Sequence, residues 1–284
     1  MYLGEDMCLA IDLDGTLLNS QGKLSGYSKT ILNAFSSLGN KIIFVTGRNV
    51  EDAVQILTQA ELTKAYVIID DGQEILEWNK DNQVRTIVKI PGFIKEDLIE
   101  ILKWCKKNKY DCTLYMREGF LSISYGIKFY LISLFRLFSN RNKHGNKLYN
   151  FKNVKKYLDS NIIKIAIRTK KIQKCFLKFN EDYQHSFYYV INDNMLEIKP
   201  KNSGKKNALL KLLELLHINK DDCWYFGNGG NDAECLSFFA NSCAVQNACE
   251  EAKNAAKMII GVNDDDAVAH FIEDNLLKKQ WSMN

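Results

Sequence analysis

Residues 9–20 read LAIDLDGTLLNS: an apolar run, then Asp12 and Asp14 two positions apart, then Gly15. Like charges that close repel, so a chain that keeps both needs a cation or a shared proton to hold them. An apolar run halted by acids and a glycine also reads as a buried strand delivering carboxylates to a turn. The same pattern recurs in MCLAI before DLDGT, KIIFV before TGRN, AYVII before DDGQ, CWYF before GNGGND and CAV before QNA. Strands that are apolar throughout are covered on both faces, as in parallel sheets. Around them, YSKTILNAFSSL, EDAVQILTQAEL, KKNALLKLLELLHI and AVAHFIEDNLL place apolar residues at three- and four-residue spacing, which predicts helices. The alternation predicts an α/β fold whose core is a Rossmann-like, doubly wound parallel sheet.

The middle of the chain breaks this rhythm. From about Gln83 to Met195 the pattern turns to strand-like stretches, IIKIAIRT, CFLKF and SFYYVINDNMLEI, with a helix predicted at KEDLIEILKWCKKN. We read residues 85–195 as an inserted α+β domain and residues 1–84 with 196–284 as a discontinuous core. The only two prolines, Pro91 and Pro200, fall near the ends of the insertion, where connecting segments belong.

Composition bounds the function. With 284 residues, 46% hydrophobic and 25% charged, the chain can bury a substantial core. The N-terminus MYLGEDMCLAIDLD has neither the basic start nor the apolar length of a signal peptide, so a cytoplasmic protein is expected. The longest apolar stretch, IKFYLISLFRLF (127–138), is interrupted by Lys128 and Arg136 and is too short to span a bilayer, so no membrane partner is expected. The eight cysteines form no C-x-x-C and stand near no histidine pair, which makes reduced core thiols the expectation. A net charge of +4 without a recognition module does not support nucleic-acid binding. The charge is uneven, since Gly119 to Leu158 contains no acid and eight Lys or Arg residues, including Lys128, Arg136, Arg141 and Lys147. Such a stretch is either a surface that attracts anions or a solvated loop.

In an open parallel sheet, ligands bind beyond the carboxyl ends of the strands. Asp12 and Asp14 end the first strand, Thr46 the second, Asp70 and Asp71 the third, and Asn228, Asn231 and Asp232 follow a later one. Taken singly these are common turn residues; four loops on one rim make a site. Clustered acid oxygens suit a hard ion such as Mg²⁺, and Lys205, at a helix start, would complement phosphate. Other phosphate motifs fail. A Walker-type loop ending at Lys205 needs glycine where Lys199 stands and Ser or Thr where Lys206 stands, and a dinucleotide fingerprint in GNGGND needs glycine at Asp232.

These residues, in this order, resemble the haloacid dehalogenase superfamily, specifically its Cof-type (subclass IIB) members with an α/β cap. IDLDGTLL resembles the family's first motif, VTGR its second, SGKKNAL its lysine motif and GNGGND its metal motif. The C-terminal stretches AVQNACEEAKNAA and NDDDAVAHFIE resemble the usual continuation. The likeness covers both flanks of the chain; the middle matches in layout more than in motif. It implies a Mg²⁺-dependent phosphomonoester hydrolase of a small phosphorylated metabolite, such as a sugar phosphate. Asp12 is then the nucleophile that carries an aspartyl phosphate and Asp14 the acid/base. Leu13, Thr46, Gly47, Lys205 and Asn231 are expected at the phosphate, and Asp12, Asp14, Asn228 and Asp232 at the metal.

Two departures stand out. The metal motif usually reads Gly-Asp where this chain has Gly227-Asn228, which replaces a charged ligand by a neutral one. Relatives generally carry Asn-Gly where this chain has Asp71-Gly72, which adds a charge. Two other functions therefore stay open: a catalytically weakened phospho-ligand binding or regulatory protein, and a phosphotransferase like the phosphomannomutases.

Overall fold

A computed structural model describes residues 7–81, 83–116, 119–124, 147–149, 158, 161–183, 187–192 and 194–278. The chain divides into two compact units, residues 1–90 with 203–284, and residues 91–202.

The first unit holds an eight-stranded sheet in the order β14-β13-β12-β1-β2-β3-β4-β5. Its strands are β1 (Cys8–Ile11), β2 (Lys41–Val45), β3 (Lys64–Ile69), β4 (Glu74–Asn79), β5 (Val84–Lys89), β12 (Cys223–Gly227), β13 (Asn241–Val245) and β14 (Met258–Ile260). From β14 to β3 every pairing is parallel, and β3, β4 and β5 finish the sheet as an antiparallel meander. Helices α1 (Gly26–Ser37), α2 (Val50–Ala60), α5 (Lys205–Leu216), α6 (Ala233–Phe238), α7 (Glu250–Ala255) and α8 (Ala267–Ile272) belong to this unit. All four residues of β1 are buried, and Phe44, Val67 and Phe226 are fully enclosed on neighbouring strands. Burying each such Leu, Ile or Phe contributes about 1.5–3 kcal/mol. Helix starts follow local chemistry: Ser25 caps α1 by accepting from the Ser28 amide, and Asn49 caps α2 by accepting from Asp52.

The strand order decides where a ligand can sit. The strands β1, β2 and β3 run outward in one direction and β12, β13 and β14 in the other, so the order reverses between β1 and β12. In open α/β sheets such a reversal marks where ligands bind, beyond the carboxyl ends of the strands. Ile11 lies level with both Phe44 and Phe226, so the loops after β1, β2 and β12 leave the sheet side by side.

The second unit carries a six-stranded sheet, β10-β11-β9-β6-β7-β8. It is built from β6 (Cys112–Met116), β7 (Gly119–Ile123), β8 (Lys147–Tyr149), β9 (Ile162–Arg168), β10 (Tyr188–Asn192) and β11 (Met195–Lys199), antiparallel except for β7 with β8. Helix α3 (Lys95–Asn108) covers the KEDLIEILKWCKKN stretch read as helical. CFLKF is not a strand: it lies within helix α4 (Ile172–Tyr183), whose buried residues Ile172, Cys175, Phe179 and Tyr183 recur at helical intervals. The short window hid that period, because four of its five residues are apolar and only Lys178 is polar, which reads as readily as a strand. Both unit boundaries fall a few residues beyond the expected ones, since Val84–Lys89 completes the core meander and Met195–Lys199 pairs with β9 and β10. The apolar stretch 127–138 and most of the acid-free basic stretch lie outside the described residues.

Seven of the eight cysteines are buried and free, and Cys249 is exposed and free. Among the described residues no helix is long and apolar enough to cross a membrane.

Candidate active site

Asp12 is the first residue past β1, and its amide donates to the Phe226 carbonyl at 2.9 Å, which ties the loop to β12. Gly15 follows with φ +74, and a Cβ there would lie 2.4 Å from Asn228 Nδ2. The turn therefore needs glycine both for its left-handed backbone and because Asn228 covers it. Thr16 Oγ1 reaches back to donate to Asp12 Oδ2 at 2.9 Å. Leu13 turns its side chain into the core, at 1% exposure.

Lys205 opens α5 and is itself buried. Its Nζ donates to Asp12 Oδ1 at 2.6 Å and to Asp232 Oδ1 at 2.8 Å. Asp232 Oδ1 also accepts from the Tyr225 hydroxyl at 2.6 Å, while Oδ2 accepts from the Asn228 and Gly229 amides at 3.0 and 2.9 Å. Expected as a metal ligand, Asp232 has both oxygens engaged by these four donors. These bonds tie the Asn228 and Gly229 backbone and the Lys205 ammonium to one carboxylate.

The second and third loops close the same rim. The Thr46 amide donates to the Ile68 carbonyl, and Thr46 Oγ1 accepts from the Arg48 amide at 3.1 Å. The Asp71 amide donates to the Thr46 carbonyl at 3.0 Å, and Asp70 donates to the Arg48 carbonyl at 2.9 Å. Asp70 and Asp71 both take left-handed backbone, φ 50 and 52, a costly conformation held by these bonds. Gly72, at φ +96, packs on the start of α5 so closely that a Cβ would sit 2.3 Å from the Gly204 carbonyl oxygen. Asp71 Oδ1 accepts from Asn231 Nδ2 at 2.8 Å and lies 3.0 Å from where a Gly47 Cβ would be. It therefore joins two elements expected at the phosphate.

Asp14 stands apart from this buried chain. Its carboxylate, exposed, receives two bonds from Arg48, Nε at 2.8 Å and Nη2 at 2.5 Å. Sequence reasoning gave Arg48 no role, although it stands in the VTGR motif. It also missed Tyr225, which reads as one more apolar strand residue, and Thr16, which stands one turn after Asp12. Asn247, which donates to the Gly15 carbonyl at 2.9 Å, was missed too. Only a polar residue inside or beside a motif could have signalled them.

The electrostatics follow from burial. Desolvation, then the charge of Asp232, push the Asp12 carboxyl up to about 7 against the pull of Lys205 and Thr16. Burial opposes the charge on Lys205, yet Asp12, Asp232 and Asp71 outweigh it and hold the ammonium well above the usual lysine range. One buried cation thus serves two buried carboxylates, an arrangement that favours added positive charge.

The donor set can be tested against a metal. Among the described residues no three His, Cys, Asp or Glu side chains come together to hold one. Asp12 offers a carboxylate, and the Asn228 side chain, which carries an amide oxygen as a further donor, reaches from the loop after β12 to lie against Gly15 with Nδ2 nearest. Mg²⁺ characteristically takes one or two carboxylates and fills its remaining positions with water and substrate phosphate. The residues fit such a sparsely held ion and do not form a closed protein cage.

Comparison with known proteins agrees with this architecture. A family model described as haloacid dehalogenase-like hydrolase matches residues 9–272. A 5-amino-6-(5-phospho-D-ribitylamino)uracil phosphatase of Bacillus subtilis is 26% identical across 97% of this chain and 99% of its own length. Among solved structures, a haloacid dehalogenase-like hydrolase from B. subtilis superposes with TM-score 0.73 at 22% identity, covering 95% of this chain and 100% of that one. A subclass IIB sugar phosphatase superposes with TM-score 0.70 at 17% identity, covering 94% and 98% of the two chains.

Proposed function

The chain belongs to the haloacid dehalogenase-like hydrolases, and we propose that it is a Mg²⁺-dependent phosphomonoester hydrolase of a small phosphorylated metabolite. The observation that carries the reading is the buried ammonium of Lys205 fixed 2.6 Å from Asp12 Oδ1, at the strand-order reversal. A sugar phosphatase and a phosphatase of a ribityl phosphate among the similar proteins support a sugar- or polyol-bearing substrate.

In this reading a carboxylate oxygen of Asp12 attacks phosphorus, and the bond from phosphorus to the substrate oxygen breaks. Asp14 gives its proton to the departing alcohol. Asp14 then takes a proton from the water that attacks the aspartyl phosphate, which frees inorganic phosphate and restores Asp12. Arg48 holds the ionised Asp14 by one edge of its guanidinium, Nε and Nη2, the form that takes the proton from water. Charge spread over the transferring oxygens meets Lys205, the Thr46 hydroxyl, the Leu13 and Gly47 amides and the Asn231 amide group. Asp12 and Asn228, with Asp14 beside them, would hold Mg²⁺, which when bound neutralises charge on the phosphoryl oxygens. Asp232 acts through Lys205.

The experiment is phosphate release from an aryl phosphate and a panel of phosphorylated metabolites, with and without Mg²⁺. Mg²⁺-dependent release is expected from at least one, and none from any would overturn the reading. Transfer to a sugar in preference to water would assign the phosphotransferase instead. Neutral Asn228 in the metal motif favours one second reading, a phospho-ligand binding protein of weakened turnover. That reading requires retained ligand binding, negligible wild-type turnover and rescue by Asn228→Asp.

A further inference from the structure

We propose that Tyr225 is a positioning residue of this site: its hydroxyl keeps Asp232 from drawing Lys205 away from Asp12. The inference rests on the phosphohydrolase reading for its kinetic consequence and on geometry alone for the linkage. Tyr225 lies in β12 with no exposed surface, between Trp224 and Phe226, where an apolar ring would pack without a polar atom to satisfy. Burying a hydroxyl in such a strand is costly unless a partner answers it. The partner is Asp232 Oδ1, 2.6 Å away, the same oxygen that accepts Lys205 at 2.8 Å. The ring lies nearly parallel to Phe239, 10° between planes at a centroid distance of 6.0 Å.

The cluster holds one ammonium and two carboxylates, all buried. The excess negative charge has to be met by neutral donors: Thr16 for Asp12, and Tyr225 with the Asn228 and Gly229 amides for Asp232. Of these, only the Tyr225 hydroxyl shares an oxygen with Lys205. Without it, Lys205 is the one donor left on Asp232 Oδ1 among the described residues, and that oxygen pulls the ammonium toward itself. The bond from Lys205 to Asp12 weakens, and with it the charge placed at the transferring phosphoryl group. A tyrosine serving only as core filling would do none of this, and phenylalanine would replace it without consequence.

The test uses full-length protein labelled with ¹⁵N-lysine, in which the Lys205 ammonium resonance is assigned by its loss in Lys205→Met. In Tyr225→Phe that resonance should move by more than its linewidth, and kcat on an aryl phosphate should fall about tenfold with KM unchanged. A resonance that coincides with the wild type, or an unchanged kcat in an active enzyme, overturns the proposal. If the wild type hydrolyses nothing while the resonance moves, the linkage stands and the phosphohydrolase reading falls. Should Tyr225→Phe fail to fold, 3-fluorotyrosine at position 225 keeps the ring and strengthens the donor. The Lys205 resonance must then move as well, and an unmoved one overturns the proposal.

Discussion

Arg48 grips Asp14 with two nitrogens, Nε at 2.8 Å and Nη2 at 2.5 Å, across 34 positions of sequence. A planar guanidinium can do this and an ammonium cannot. The pair is partly exposed, at 23% and 56% for the two side chains, so its contribution to stability is small. Its work is orientation of the proposed acid/base. Arg48→Lys should therefore leave the melting temperature nearly unchanged while kcat/KM falls, by about tenfold with an alkyl phosphate. The loss should be smaller with an aryl phosphate, whose leaving group scarcely needs a proton. Equal losses on both substrates would detach Arg48 from proton transfer.

Asn228 covers Gly15 beside Asp12 and brings an amide where an acid would bring charge. Asn228→Asp should tighten Mg²⁺ binding, by roughly 10- to 100-fold, measured calorimetrically on the protein without substrate. Unaltered affinity would place the cation elsewhere.

Burial gives Asp12 a signature in stability. Its carboxyl, near 3.8 in the unfolded chain, is pushed up to about 7 in the fold. The folded chain then holds an extra proton between those values, so stability is fullest below the lower one and is lost as pH rises through the upper. In a chelating buffer, the melting temperature should decline from about pH 5 to about pH 8 in the wild type and decline less in Asp12→Asn. Parallel profiles for the two proteins would show that the Asp12 carboxyl is not pushed up in the fold.

Much of this was legible in the sequence because its signals were local. The runs LAI, IIFV and YVII are apolar throughout, which marks β1, β2 and β3 as covered strands and fixes where Asp12, Thr46 and Asp71 emerge. What stayed hidden depends on how the loops fold back. Tyr225 meets Asp232 only because the GNGGND loop folds back, and Asp71 meets Asn231 across 160 positions. The four donors to Asp232 were hidden for the same reason, since the motif shows the carboxylate and not what folds onto it. Helix α4 was missed because CFLKF shows less than two turns of its period.

The central claim is chemical attack by Asp12, and it is tested most directly by comparing Mg²⁺-dependent phosphate release by the wild type and by Asp12→Asn, with folding of both verified by melting. Release should fall by roughly 10³-fold or more, as expected for loss of a nucleophile. Release at the wild-type rate from a folded Asp12→Asn protein would contradict the account.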